Sequence, residues 1–497
     1  MKFKSLSLLF IIIVLHCDAQ NTNNSAAKKI LEKSILATGG DAWKKVNTFS
    51  FDGYGYANLV DQSERPEGPS IPVQVSRHIL KNLSENTFAV RLKELNYDFG
   101  NEYTLLCNGQ FNAIKIGDKI TPTLQGDLLN DELNLAPELV LTKALAAPDL
   151  RFVKDTVYQK AQHSILAFTY GRFPVRLFLN QETDLLTAVE VTRPYNEGFS
   201  AIWGDVRKTV IYSFWMLLDK GLHYPLQQDT YFNGWYLSSF LINKWQVNSS
   251  AATDSLKIPP AVIEQDKALA KNTETQLATQ LDKATQLVPG IWMLPGYCRS
   301  TVIEQPDGIV VIESSYSSAF GEATIEKAKK LFPGKKIKAL ISTSDAWLHI
   351  GGLRAFAAIP GIKIYHPVRN RAILDKLLKS SYITSPDKLA GIVKLTYSLN
   401  GVTDTLALGT GDNRLVMYAY KTETGDRQMM VYFPHHKIVY ASDLYQHKDQ
   451  QGKYWNPQIA WEVYHSIKTR KITVDKFYAM HSGVLPFSDL ENDFKGE

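Results

Sequence analysis

The chain has 497 residues, 44% of them hydrophobic and 21% charged, and a formal net charge of +5. That length exceeds one hydrophobic core and implies two or three domains, and the composition is that of an ordinary folded globular protein. The positive charge is diffuse, with no long Lys/Arg block, so no nucleic-acid partner is expected.

Residues 1–19 read as a signal peptide. Lys2 and Lys4 precede an apolar run from Leu6 to Leu15, and Cys17-Asp18-Ala19 leads to a cut before Gln20. The run is too short to stay in a bilayer, and no later run reaches spanning length. The expectation is export to the periplasm or extracellular space, without an integral membrane segment after signal removal. A lipid anchor at Cys17 is the second reading, because His16 stands where a lipobox wants a small residue. Cys107 and Cys298 fall in different expected domains and read as free buried thiols.

Residues 26–46 begin as an amphipathic helix, with Ala27, Ile30, Leu31 and Ile35 on one stripe and Gly39-Gly40 as its stop. From Phe49 the apolar period becomes two: Phe49-Phe51, Phe88-Val90-Leu92, Leu166-Phe168-Tyr170, Val175-Leu177-Leu179, Val189-Val191 and Val210-Tyr212 alternate. Asn108-Gly109 and Asn233-Gly234 mark turns, and a helical insertion runs from about Asn134 to Ala146. Residues 20–258 therefore read as a β-rich domain built on a long antiparallel sheet. Its opening helix with Ala37-Thr38-Gly39-Gly40, and the later Leu218–Pro225 turn, resemble exported lipoprotein-carrier-like half-barrels. The resemblance implies a curved sheet able to shelter an apolar ligand or partner. Core packing explains the same aromatics more simply.

Pro259-Pro260 and the polar Ala/Gln/Lys-rich stretch to Gln286 read as a linker, 259–286, with a solvated helix. In 287–497 the rhythm changes to hairpins followed by strand–helix alternation. Val288–Leu294, Cys298–Glu304 and Gly308–Glu313 read as strands, Phe320–Leu331 as a helix, and Lys338–Ile341 as the next strand. A second half repeats the plan, with strands at Leu415–Tyr420, Met429–Phe433, Ile438–Ala441 and Lys476–Met480 and a helix near Gln458–Lys468.

The loop Thr343-Ser344-Asp345-Ala346-Trp347-Leu348-His349-Ile350-Gly351-Gly352 resembles the metal-binding loop of the metallo-β-lactamase superfamily, Thr-His-x-His-x-Asp-His-x-Gly-Gly. Asp307–Glu313, Val431–Pro434, Ala441-Ser442-Asp443 and His481-Ser482-Gly483 follow the family order over about 287–490. The resemblance implies an αββα sandwich, and so an α+β protein: a curved antiparallel half-barrel with helices, then the sandwich. Family members carry two metals, and several ligand positions differ here. Ser344 and Ala346 stand for two histidines, Leu348 for an aspartate, and a third histidine position falls near Thr424. What the resemblance leaves is one metal set, His349, Asp443 and His481. Two histidines and a carboxylate suit one divalent metal, zinc first, with water in the open position.

Each residue also has a plainer role. His349 could hydrogen-bond at a helix start, Asp443 could cap the next turn, and His481 could be structural. Asp345 is a possible helix cap, His435 and His436 read as solvated, and Tyr297, Trp347 and Tyr445 as packing. The expected function is an atypical single-metal hydrolase of unknown substrate. The alternative is a non-catalytic envelope protein that binds an apolar ligand or partner with its aromatic N-terminal sheet. No phosphate loop, Gly-x-Ser-x-Gly elbow or Cys-x-x-Cys pair supports other chemistry.

Overall fold

The computed structural model describes residues 24–59, 71–95, 102–123, 126–195, 202–249, 253–267, 281–295, 298–420, 428–444, 454 and 457–495. The chain divides into two compact units. The signal-peptide expectation and residues Tyr297, Thr424 and Tyr445 lie outside the described residues.

The first unit is built on one sheet of thirteen antiparallel strands. Its first and last strands, Thr48–Leu59 and Trp235–Val247, pair at the centre, and successive strands meander outward on both sides. The sheet is open, with edges at Lys119–Pro122 and Arg151–Tyr158, so it does not close into a barrel. Residues 24–37 are helical and bury Ala27 and Leu31 against Leu166, Leu177 and Val189. Gly39, at φ 118°, ends that helix as its sequence required.

The insertion between the two strand series is two helices, Gly126–Asn134 and Pro137–Ala146, where the sequence suggested one. Pro137 opens the second helix, at the position where its missing N–H costs nothing. Both helices pack on the face that carries Phe49, Phe51, Ile79, Val175 and Leu177. The opposite face, around Leu80, Leu106 and Ala113, is covered by Leu256, Ile258 and Val262. The helix after Pro259-Pro260 is therefore anchored through Val262 rather than wholly solvated, a contact its polar composition does not announce.

The second unit is an αββα sandwich. Its seven-stranded sheet begins as antiparallel hairpins and ends with Ile337–Ile341, Lys363–Pro367 and Ser398–Val402 parallel to Gly308–Ile312. The six-stranded sheet is antiparallel except where Ile438–Tyr440 and Lys476–Tyr478 run side by side. Ile303, Val310 and Ile341 of one sheet share a core with Met417, Val431 and Tyr440 of the other. The helices Pro457–Thr469 and Phe487–Phe494 cover the outer face of the second sheet through Ile459, Val463, Leu490 and Phe494. Gly308–Ile312 is buried at every residue, as a strand covered on both faces must be, which is why it reads as an unbroken apolar run.

One strand reading needs correction. Val288–Leu294 is not a single strand: Thr285–Val288 and Ile291–Leu294 form a hairpin about Pro289-Gly290, with Gly290 at φ 80°. A Pro-Gly pair inside an apolar run is a turn, and it outranks the run.

Candidate metal centre

Four strands of the second unit deliver the candidate residues at their C-terminal ends. Gly308–Ile312 runs into Glu313, Ile337–Ile341 into Thr343, Ile438–Tyr440 into Ser442-Asp443, and Lys476–Tyr478 leads to His481. Side chains from both sheets thus meet beyond one end of the sandwich, where chain reversals free them from ladder hydrogen bonds.

His349 is brought in by the short helix Trp347–Ile350. The backbone of 314–317 clamps that helix: Tyr316 N–H donates to the Leu348 carbonyl (3.1 Å) and Gly352 N–H to the Ser314 carbonyl (2.6 Å). This close approach explains the Gly-Gly pair. A Cβ on Gly351 would stand 2.4 Å from the Tyr316 carbonyl group, and one on Gly352 2.9 Å from Gly321 Cα. Both glycines have ordinary negative φ, so the requirement is space, not backbone freedom. Two residues of the loop held back by sequence reasoning also find places. Ser344 accepts a hydrogen bond from Ala346 N–H (3.2 Å), and Ala346 occupies the N-cap position of the short helix. Trp347 packs edge-on to Tyr316 with centroids 5.5 Å apart.

The three sequence-predicted ligands do come together. His349 Nε2 is 3.3 Å from Asp443 Oδ1, and His481 Nε2 is 3.1 Å from the same oxygen. His349 is fully buried, while the Asp443 side chain keeps 22% of its surface exposed and is the member solvent reaches. Sequence reasoning missed a fourth group, Glu313, whose Oε2 is 3.1 Å from His349 Nδ1. Glu313 is itself fully buried and has φ 67°, a strained value for a non-glycine residue. Its other oxygen, Oε1, accepts from Thr343 N–H (3.3 Å), the Thr343 hydroxyl and Tyr440 OH (3.2 Å). Ser442, at φ 54°, closes the network at 2.7 Å from the Thr343 hydroxyl. The signal for Glu313 was present: a carboxylate placed directly after an uninterrupted apolar strand has no solvent to face and needs a partner.

Charge distribution follows from these contacts. Burial works against a charged His349, but Glu313 and Asp443 outweigh it and raise its pKa to about 10. Burial likewise pushes Asp443 upward, yet His349 and His481 hold its carboxyl well below the usual range. Cys298, free and buried, has its thiol pushed up by burial and by the charges of Asp443 and Glu313. It is not a poised nucleophile.

The cluster offers no second set of ligands, since Ser344, Ala346 and Leu348 in the same loop carry neither imidazole nor carboxylate. For one ion the chemistry fits: two imidazole nitrogens and a carboxylate oxygen converge, and Glu313 stands behind His349 as carboxylates do behind metal-bound histidines. Separations of 3.1 and 3.3 Å suit a hydrogen bond. They equally suit neighbouring ligands of a zinc bound at about 2.0–2.1 Å, whose tetrahedral edges are roughly 3.3 Å. Among the described residues, however, no group of three or more His, Cys, Asp or Glu side chains is already spaced to hold an ion.

No protein-family model and no curated protein matches the chain. Its neighbours among solved structures have the metallo-β-lactamase fold. The chain is similar over 42% of its length, and 94% of the neighbour's, to a metallo-β-lactamase from Hirschia baltica, with 15% identity and a TM-score of 0.33. The mono-zinc form of the metallo-β-lactamase FIM-1 from Pseudomonas aeruginosa is 13% identical, covering 42% of this chain and 91% of its own, with a TM-score of 0.31. The stereoselective inverting sec-alkylsulfatase Pisa1 from Pseudomonas sp. is 15% identical, covering 43% of this chain and only 40% of its own length, with a TM-score of 0.30.

Proposed function

We propose that the second unit is a hydrolase that works with one divalent metal, zinc first, held by His349, Asp443 and His481. The observation that carries this reading is the convergence of three ligand-type side chains from three separate loops on one point, with a buried carboxylate fixing one of them. A bound ion would supply a water of lowered pKa and a positive charge for a developing oxyanion. The chain's own residues do the positioning. Glu313, held by Thr343 and Tyr440, orients His349 so that Nε2 faces the loop ends. Asp443, the member most open to solvent, meets both histidines through one oxygen and stays ionised between them. The proposal includes export through residues 1–19; among the described residues no helix is long and apolar enough to cross a membrane. It does not include β-lactam turnover, because a fold does not carry its substrate with it.

One observation favours a non-catalytic role instead: among the described residues no group of three or more His, Cys, Asp or Glu side chains has the spacing of a metal site. Metal analysis of the mature protein after exposure to zinc separates the two. About one equivalent, lost in His349→Ala and in His481→Ala, is the expected result. No zinc above background in the wild type would refute the hydrolase, and two equivalents would refute the single-metal assignment.

A further inference from the structure

The first unit contains a cavity of about 180 Å³ between the helix-bearing face of its sheet and the segment Leu128–Pro137. Strand register explains its wall. Val189 pairs with Val210, Val210 with Thr230, and Thr230 with Ser238, so these four stand in one row across four strands. A neighbouring row runs Tyr212, Gln228, Phe240, and continues to Gly55, where a Cβ would stand 1.9 Å from the Ser239 carbonyl. Side chains of one such row share a face. The wall is apolar with hydroxyls and an amide set into it, and it is not the uniformly greasy surface that an apolar ligand would select.

The charges around the cavity are unequally satisfied. Lys81 is matched by Glu138 at 2.6 Å, and Arg77 by Glu132 at 2.5 Å. Asp131 accepts from Tyr195 OH at 2.6 Å and from Arg193 at 3.2 Å. Among the described residues Lys208 reaches only Asp131, and at 3.8 Å, too long for a hydrogen bond. Its side chain is 9% exposed. A desolvated ammonium whose nearest carboxylate is already engaged is a costly arrangement with no structural return.

We propose that this cavity binds a small amphiphilic monocarboxylate, its carboxylate on Lys208 and its apolar body along Val189, Val191 and Val210. Val191 is directly opposite Lys208 in the ladder, and Val210 is two residues beyond it on the same face, so head and tail contacts are contiguous. Size limits the tail. An apolar cavity of about 150 Å³ accommodates benzene, so this one suits a body on the order of six to eight non-hydrogen atoms. A long-chain lipid does not fit. The site lies wholly within the first unit and does not depend on the metal centre.

Titration calorimetry of the mature full-length protein with hexanoate tests it, with hexan-1-ol and hexadecanoate as comparators. Hexanoate is expected to bind at one site with a negative heat-capacity change, the mark of apolar burial. Lys208→Met should weaken hexanoate at least about tenfold and leave hexanol unchanged, and Lys208→Arg should recover part of the loss. Ser238→Phe, which fills the cavity, should abolish binding of both while thermal unfolding shows the variant folded. No saturable hexanoate binding would overturn the proposal. So would equal affinity for hexanol, an unaffected Lys208→Met variant, or preference for hexadecanoate. Should Lys208→Met fail to fold, the acid-against-alcohol comparison on the wild type decides alone.

Discussion

The molecule buries ionised groups in two places, and it treats them differently. In the first unit Lys81 and Glu138 meet at 2.6 Å with side chains 2% and 0% exposed, Lys81 on a strand and Glu138 in a helix packed across it. The ammonium also sits 5.7 Å from the ring centres of both Phe51 and Phe88. In the second unit Glu313, His349, Asp443 and His481 form an open chain of contacts at loop ends, with strained backbone at Glu313 and Ser442. A pair held by regular elements, its two charges engaged directly with each other, is fixed in place by the fold around it. A chain with strained backbone and one member exposed to solvent is open to a ligand. That contrast, more than residue type, separates a structural ion pair from a candidate site.

The largest effect expected comes from breaking the closed pair. Glu138→Ala leaves the Lys81 ammonium buried without its partner and should cost about 3–5 kcal/mol, read as a fall in the unfolding midpoint. The double variant Lys81→Met, Glu138→Leu should recover most of that loss, because apolar replacement of a buried pair is often neutral. Zinc stoichiometry should be unaffected in any folded member of this series. A change in metal content would dissolve the distinction between the two places.

Gly351→Ala attacks the other place through its packing. The added methyl meets the Tyr316 backbone at 2.4 Å and must push the His349 helix off the 314–317 clamp. A destabilisation of about 1–3 kcal/mol is expected, with zinc retention lost beyond what the stability change accounts for. Unchanged zinc content would show that His349 need not be held so closely.

Much of the fold was legible, because glycines, turn pairs and apolar period act locally. The Gly39 stop, the two-residue period of the antiparallel strands and the repeated strand–helix plan of the second unit all rest on neighbours in sequence. The misses rest on distant contacts. Gly126–Asn134, with the sequence GDLLNDELN, carries too many acids and asparagines to advertise a helix, and it holds through Leu129 and Leu133 buried against the sheet. Val262 found its partners in strands more than a hundred residues earlier. Of the four residues that cluster, three were named from the sequence because a motif resemblance pointed to their loops. Glu313 was passed over as the end of a strand, since only the arrival of His349 from another loop gives it a role.

Glu313→Gln keeps the shape of that side chain and removes its charge. Loss of such a carboxylate behind a metal-bound histidine should lower zinc affinity about 10–100-fold while the fold persists. The metal-free protein offers a second readout. His349 has a folded pKa of about 10, above its usual value of about 6.5. Its contribution to stability is therefore full below the unfolded value and is lost as pH rises through the folded one. The unfolding midpoint of the zinc-stripped wild type should fall across that alkaline window, and His349→Gln should flatten the fall. An equal fall in both proteins would place the alkaline sensitivity elsewhere.

The smallest effect tests whether histidine content alone could produce the zinc signal. His435 follows Pro434 in a turn, as the sequence suggested, with its side chain 60% exposed and Nδ1 3.7 Å from an equally solvated Asp412. Its neighbour His436 instead meets Asn413 at 2.9 Å. An exposed pair at that distance is screened by water and holds no fixed geometry, so His435→Ala should shift stability by no more than about 0.5 kcal/mol. Zinc stoichiometry should be identical to wild type. If His435→Ala lost the ion and His481→Ala kept it, the metal would belong to the solvated turn. The convergence of His349, Asp443 and His481 would then be an internal hydrogen-bonded brace, no different in kind from Lys81 and Glu138.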